Sequence, residues 1–304
     1  MISIAVMMST FNGEAYVEEQ INSILNQLNV KISLFIRDDG SKDKTISIIS
    51  NKINQNPNIH LIQGENVGVG NSFMNLLYST PDDYDFYAFS DQDDIWESEK
   101  ICKSIELLKA SDKKLYISNQ KCVDKNGDFL NMRYKSKPPL EVIDVLSQNR
   151  GTGCTMVFNN QFKRLLCEAK RRPSKEILQL RIHDVWVTMV GVLTQSIVYD
   201  NNAYICYRQH ENNVVGAFAP SFEDKFKTKI NKLRNKDLRN GRSLLAKEII
   251  EHYYDYAKSY PIFFICANYK KNLKSKIDLI RRYAEFSNYS NFIIFALYVI
   301  IGLF

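Results

Sequence analysis

Residues 1–220 predict an α/β fold, parallel strands joined by crossover helices, with a helical extension running on to residue 304. Three observations carry that prediction. Short apolar runs alternate with segments of helical period, each strand end opens into a polar or glycine-rich loop, and the composition changes after Pro220. The apolar runs are Ile2–Met8, Ile32–Ile36, His60–Gln63, Phe86–Phe89 and Leu115–Ser118. The helical segments between them are Tyr16–Leu28, Thr45–Asn54, Ser72–Ser79 and Ile95–Lys109.

In an open sheet of this kind ligands bind beyond the carboxyl ends of the strands, where loops enter helices. Those loops read Thr10-Phe11-Asn12-Gly13 after the first strand and Asp38-Asp39-Gly40-Ser41 after the second. Gly64–Gly70 follows the third strand and Asp91-Gln92-Asp93-Asp94 the fourth. A second stretch, about 112–220, adds strands near Cys154–Asn159, Ile197–Asp200 and Tyr204–Tyr207, with Gly151-Thr152-Gly153, His183-Asp184 and Arg208-Gln209-His210 beside them.

Three carboxylates in four positions after an apolar strand repel one another unless a cation stands among them. Mg²⁺ or Mn²⁺ takes oxygen ligands and shares its shell with substrate phosphates, so Asp91 and Asp93 are candidate ligands to one ion that also holds a diphosphate. Asp94 reads instead as the cap of a helix beginning near Ile95. In the second-strand loop an Asp is suited to accept the N3–H of a uracil or thymine ring, although an Asp-Gly turn has the same residue types.

Gly64, Gly68 and Gly70 permit close backbone approach to a phosphate or sugar. Neither GxGxxG after the first strand nor GxxxxGK[ST] occurs, which weighs against hydride transfer and P-loop chemistry. Asp184 opens the apolar helical run Val185–Leu193, either as its cap or as a general base for a hydroxyl. Arg208 and His210 on one loop suit the developing charge of a departing diphosphate.

The six cysteines are scattered singly, without CxxC, and read as reduced core residues. Up to residue 220 there are 24 Lys and Arg against 26 Asp and Glu, and beyond it 16 against 8, so the basic surplus belongs to the extension. Within it, Phe222–Arg242 spaces Phe226, Ile230 and Leu233 among lysines and arginines, a pattern apt for anionic headgroups. No nucleic-acid module accompanies the charge, so nucleic acid is not an expected partner. The apolar Asn291–Phe304 is shorter than the ~20 residues a spanning helix needs. Met1 runs directly into the first strand without a basic n-region, so a cytoplasmic chain, peripheral on the inner membrane face, is expected.

Together these residues resemble the family 2 glycosyltransferases, and within them the bacterial rhamnosyltransferase-like branch that acts on surface polysaccharides. The likeness spans about residues 2–216. It rests on STFNGE at 9–14, IRDDGSKDKT at 36–45, ENVGVGNSF at 65–73, FSDQDDIW at 89–96, GTGCTMVFN at 151–159, HDVW at 183–186 and YRQHENNVVG at 207–216. Where many relatives carry W-x-P-x-K, this chain has Trp96-Glu97-Ser98-Glu99-Lys100.

The resemblance implies a GT-A catalytic domain over 1–220, a Rossmann-like mixed sheet flanked by helices, followed by a helical extension over 221–304. It also implies an inverting single displacement. Phe11 and Asp39 would hold the base, with Ser9, Thr10, Asn12, Glu14, Asp38, Asn71 and Gln92 around the donor. Asp93 would be the principal Mn²⁺ or Mg²⁺ ligand with Asp91 assisting, and Asp184 the base. Trp96, Gly153, Cys154 and His183 would line the sugar or acceptor pocket, while Arg208 and His210 meet the diphosphate. The implied donor is a nucleotide-diphospho-sugar, with dTDP-rhamnose leading, and the acceptor a glycan or polyprenyl-linked glycan. Two other readings use the same carboxylates: a nucleotidyltransferase making sugar nucleotides, and a non-catalytic sugar or lipid-carrier binding module.

Overall fold

A computed structural model describes residues 1–148, 150–210, 236–284 and 289–302. The chain divides into two compact units. One comprises Met1–Pro139, Gly151–Glu168 and Gln195–Phe218, and the other Leu140–Arg150, Ala169–Thr194 and Ala219–Phe304.

The first unit is built on strands β1 (Ile2–Thr10), β2 (Val30–Asp38), β3 (Ile59–Gln63), β4 (Phe86–Ser90), β5 (Ile95–Trp96), β6 (Leu115–Ser118), β7 (Lys121–Val123), β8 (Phe129–Met132), β9 (Val157–Asn159), β10 (Ile197–Asp200) and β11 (Ile205–Arg208). Seven form one sheet in the order β10-β6-β9-β4-β1-β2-β3, and four a smaller sheet, β5-β11-β7-β8. β1 runs parallel to both β2 and β4, and β2 parallel to β3. Central parallel strands are covered on both faces, which is why Ile4–Met8 and Phe86–Ser90 are unbroken buried runs rather than alternating ones. Helix α1 (Val17–Leu25) covers the sheet with Val17, Gln20, Ile21 and Ile24, one helical stripe. Helices α2 (Thr45–Gln55), α3 (Val69–Ser79) and α4 (Lys100–Ser111) follow the later strands, and α6 (Asn160–Cys167) follows β9, with α5 given below. Because β1, β2, β3 and β4 are parallel, the loops at their carboxyl ends share one edge of the sheet.

Two departures from the expected elements bear on the site. Residues 95–109 were expected to form one helix. Instead Ile95 and Trp96 pair with β11 in antiparallel register, Ile205 opposite Trp96, and the helix begins at Lys100. Pairing to a distant strand here overrides local helical periodicity. Likewise Cys154 belongs to a 3₁₀ turn, Gly153–Thr155, and the strand that follows is antiparallel to both β4 and β6. The main sheet is therefore mixed.

The second unit is helical. It contains α5 (Val142–Ser147), α7 (Lys175–Leu193), α8 (Lys236–His252), α9 (Tyr254–Ala257), α10 (Pro261–Asn268), α11 (Leu273–Ala284) and α12 (Tyr289–Ile300). Trp186 of α7 meets Tyr253 edge-on at 5.9 Å, and Tyr283 of α11 stacks on Phe295 of α12 at 3.6 Å. Of the basic stretch 222–242, residues 222–235, with Phe226, Ile230 and Leu233, lie outside the described residues. Arg242, at its end, is half-buried in α8 and donates to the Ser147 carbonyl at 2.8 Å. Among the described residues no helix is long and apolar enough to cross a membrane.

Candidate active site

β1 and β2 end side by side, Thr10 opposite Asp38. The Asp38 carboxylate is wholly buried. It accepts hydrogen bonds from Thr10 Oγ1 at 3.0 Å and Ser41 Oγ at 2.5 Å, and from the amides of Gly40 and Ser41 at 3.1 and 2.8 Å. An Asp bonded to its own following backbone closes a tight turn. That turn takes Gly40 to a φ of 89°, where a Cβ is unfavourable. Asp38 thus shapes the loop.

Asp39 does a different job. It is 3% exposed, ion-paired with Arg37, and accepts from the amides of Val67 and Gly68, each at 3.0 Å. It fastens the glycine-bearing loop to the second strand. Arg37, which sequence reasoning did not single out, completes the join by donating to Ser72 Oγ and the Glu65 carbonyl, both at 3.0 Å. Ser9 Oγ lies 2.6 Å from Ser72 Oγ, and Asn71 donates to the Val67 carbonyl at 3.2 Å.

The loop after β1 is tied on both sides. Towards the second strand's loop, the Asn12 amide donates to Ser41 Oγ at 2.9 Å and the Lys42 amide to Asn12 Oδ1 at 2.8 Å. The Lys44 amide donates to Glu14 at 2.9 Å. Towards the acidic loop, Gln92 pairs with the Phe11 backbone twice, accepting from its N–H at 2.9 Å and donating to its carbonyl at 3.0 Å. A Cβ on Gly13 would stand 2.2 Å from Gln92 Oε1, so this approach requires glycine. The Phe11 ring itself is 44% exposed at the rim.

The acidic loop divides its carboxylates between solvent and core. Asp94 is entirely buried and accepts from the Arg208 amide at 3.2 Å. It caps no helix, since Ile95 is in a strand. Burial first, then the charges of Asp93 and Asp91, push Asp94 well above the ordinary carboxylate range. Burial likewise pushes Lys100 down to about 7, with its Nζ 3.7 Å above the Trp96 ring. Of the three carboxylates only Asp94 is fully buried, and Asp91 and Asp93 keep partial exposure.

Asp93 lies 2.8 Å from His210 Nε2. The ligand atoms of Asp91, Asp94 and Cys154 fall within 4.8 Å of one another. Carboxylate oxygens with one imidazole fit a divalent cation such as Mn²⁺. The buried Cys154 thiol, raised first by burial and then by Asp94, stays protonated, and Gln120 donates to its sulfur at 3.1 Å. That chemistry makes it a packing neighbour of the loop. Gly153 is buried beside it, and Trp96, 3% exposed, belongs to the core beneath the acidic loop.

Arg208 was expected to meet a diphosphate. In the structure its guanidinium is 3% exposed, and each nitrogen donates to a protein oxygen: Nε to the Asp93 carbonyl at 3.0 Å, one terminal nitrogen to the Lys125 carbonyl at 2.7 Å, the other to Glu19 at 2.5 Å. Glu19, on the helix after the first loop, and Tyr16, just before it, also escaped sequence reasoning. The only available signal was their place just beyond the NGE run.

His183 and Asp184 belong to the second unit. Arg181 has φ −133° and Ile182 φ 30°, so α7 breaks and restarts at this pair. A β-branched residue at positive φ costs of order 1–3 kcal/mol, and such strain collects at functional positions. Asp184 is 4% exposed, and His183, pushed down to about 3 by burial, is neutral across the physiological range.

Strand-end loops that gather a turn-forming Asp, a glycine loop and an acidic cluster on one edge of a mixed sheet are the arrangement of the GT-A fold. The sequence profile described as glycosyl transferase family 2 matches residues 5–168, more than half of the chain. The dTDP-rhamnosyl transferase RfbG of Shigella flexneri is 32% identical over 254 residues, covering 80% of this chain and 85% of that one. The chain belongs to glycosyltransferase family 2. Crystal structures of Staphylococcus aureus TarS 1–349 with UDP and with UDP-GlcNAc align with TM-scores of 0.54 and 0.55. Both are 19% identical and cover 92% of this chain, and 78% and 79% of theirs, which speaks to the fold alone.

Proposed function

We propose that this glycosyltransferase moves a sugar, L-rhamnose from dTDP-rhamnose in the leading case, onto a hydroxyl of a glycan or lipid-linked glycan in surface polysaccharide synthesis. The likeness to the Shigella rhamnosyl transferase supports the donor. One observation carries the chemistry: the acidic loop leaves Asp91 and Asp93 partly exposed, Asp93 2.8 Å from His210 Nε2, while Asp94 is buried.

In this reading Asp39 and Phe11 take the base, with Ser9, Thr10, Asn12, Glu14, Asp38 and Asn71 shaping the nucleotide's bed and Gln92 bracing it. Asp93, Asp91 and His210 hold Mn²⁺ or Mg²⁺. When bound, the cation stabilises the charge that develops on the departing diphosphate. Asp184 accepts the proton of the acceptor hydroxyl as its oxygen attacks the anomeric carbon. The bond to the diphosphate oxygen breaks with its electron pair going to that oxygen, and the configuration inverts. Gly153, Cys154, Trp96 and His183 shape the sugar and acceptor side.

The basic surplus beyond residue 220 supports a peripheral contact with an anionic membrane carrying the acceptor. Exposed Leu273, Ile277, Leu297 and Ile300 on α11 and α12 add apolar area to it.

Thermal-shift measurements against a panel of nucleotide sugars with Mn²⁺ test the donor, because a ligand stabilises in proportion to occupancy. dTDP-rhamnose is expected to give the largest shift, and Asp93→Ala to abolish both the metal-dependent part and turnover. Unchanged turnover in Asp93→Ala would remove the metal assignment.

A further inference from the structure

Arg208 and His210 rest on the same aromatic ring. The guanidinium carbon of Arg208 lies 4.7 Å from the centroid of Tyr16, and the His210 imidazole stacks on that ring at 5.1 Å with 29° between planes. Tyr16 precedes the first turn of α1, and Glu19, three residues on, pairs with Arg208 at 2.5 Å. From this platform the Arg208 side chain reaches the Asp93 carbonyl and its amide reaches the Asp94 carboxyl. His210 meets the Asp93 carboxylate. Three stretches of chain, the start of α1, the acidic loop and the end of β11, are thereby held in one arrangement by a single buried guanidinium and one ring.

We propose that Tyr16 and Glu19 are positioning residues that hold Asp93 and His210 ready for a shared divalent cation, with Arg208 as the strut between them. The inference rests on reading Asp93 and His210 as cation ligands. Two donors far apart in sequence bind one ion well only when they are already near ligand distance, and outer groups that orient ligands typically change metal affinity by about 10–100-fold. A flat ring supplies that orientation to both side chains, the guanidinium by cation–π attraction and the imidazole by stacking. The Tyr16 hydroxyl has no part in it.

The test is Mn²⁺ binding by the full chain in the presence of dTDP, followed by electron paramagnetic resonance of the free ion, alongside the melting temperature of each variant. Tyr16→Leu is expected to weaken Mn²⁺ by about 10-fold or more, while Tyr16→Phe stays within about twofold of the wild type. Glu19→Gln, at a half-exposed side chain, is expected to weaken Mn²⁺ several-fold with a wild-type melting temperature, and it carries the test if Tyr16→Leu does not fold. Wild-type Mn²⁺ affinity in Tyr16→Leu or in Glu19→Gln overturns the proposal, as does a Tyr16→Phe variant as weak as Tyr16→Leu. Asp93→Ala separates the two levels: if it binds Mn²⁺ normally the ligand assignment itself fails, and if it alone loses Mn²⁺ only the positioning role fails.

Discussion

Asp38 and Asp39 are neighbours in sequence with different tasks, and nothing in their residue type separates them. Asp38 is turned into its own turn, and Asp39 towards Arg37 and the glycine loop. Asp184 is the residue whose role most needs chemistry to decide it. A general base contributes about 10²–10⁴-fold to the rate. Asp184→Asn is therefore expected to bind donor as the wild type does, with kcat lower by at least about 100-fold; a variant that transfers at the normal rate would transfer the base role elsewhere. The cluster of three carboxylates was legible in the sequence, but the division of labour was not. Burial of Asp94 and the Asp93–His210 approach depend on residue pairs more than 100 positions apart.

At the scale of elements, the strand-end loops act as one assembly because side chains of one complete the backbone bonding of another. Gln92 stands in for a strand at Phe11, and Gly13 leaves room for it. Each such bond contributes about 0.5–1.5 kcal/mol net. Gly13→Ala and Gln92→Ala are each expected to lower stability by about 1–2 kcal/mol in denaturant unfolding and to raise the donor KM. The double variant should cost little more than either alone, since both remove the same pair of bonds. Fully additive losses would show that the two residues act apart. The first strand, its loop and α1 were readable from period and punctuation. The β5 pairing was not, since two residues carry no period and take their form from β11.

For the molecule as a whole, the basic surplus lies beyond residue 220, with 16 Lys and Arg against 8 Asp and Glu. Basic residues near an anionic bilayer contribute about 1 kcal/mol each, screened by salt. At the α11–α12 end of the second unit, Lys276 donates to the Ile300 carbonyl at 2.6 Å, which brings exposed Leu273 and Ile277 near exposed Ile300 and Ile301. Lys270, Lys271 and Lys274 are exposed around them. The full chain is expected to co-sediment with phosphatidylglycerol vesicles at low salt and to release as salt rises. Lys271→Glu with Lys274→Glu should weaken this by about 10-fold or more. Equal binding to neutral phosphatidylcholine vesicles would remove the electrostatic part of that reading.

Sequence alone determined the class of this protein. Apolar period, strand-end loops and seven ordered motifs are local properties, each readable without knowing what lies across the sheet. Tertiary structure decided what the loop residues do for one another: that Arg208 braces rather than projects, that Asp94 is buried, that Tyr16 and Arg37 matter at all. The physical reason is that charge state and hydrogen-bond partner are set by burial and by groups distant along the chain, and a string of residues carries neither.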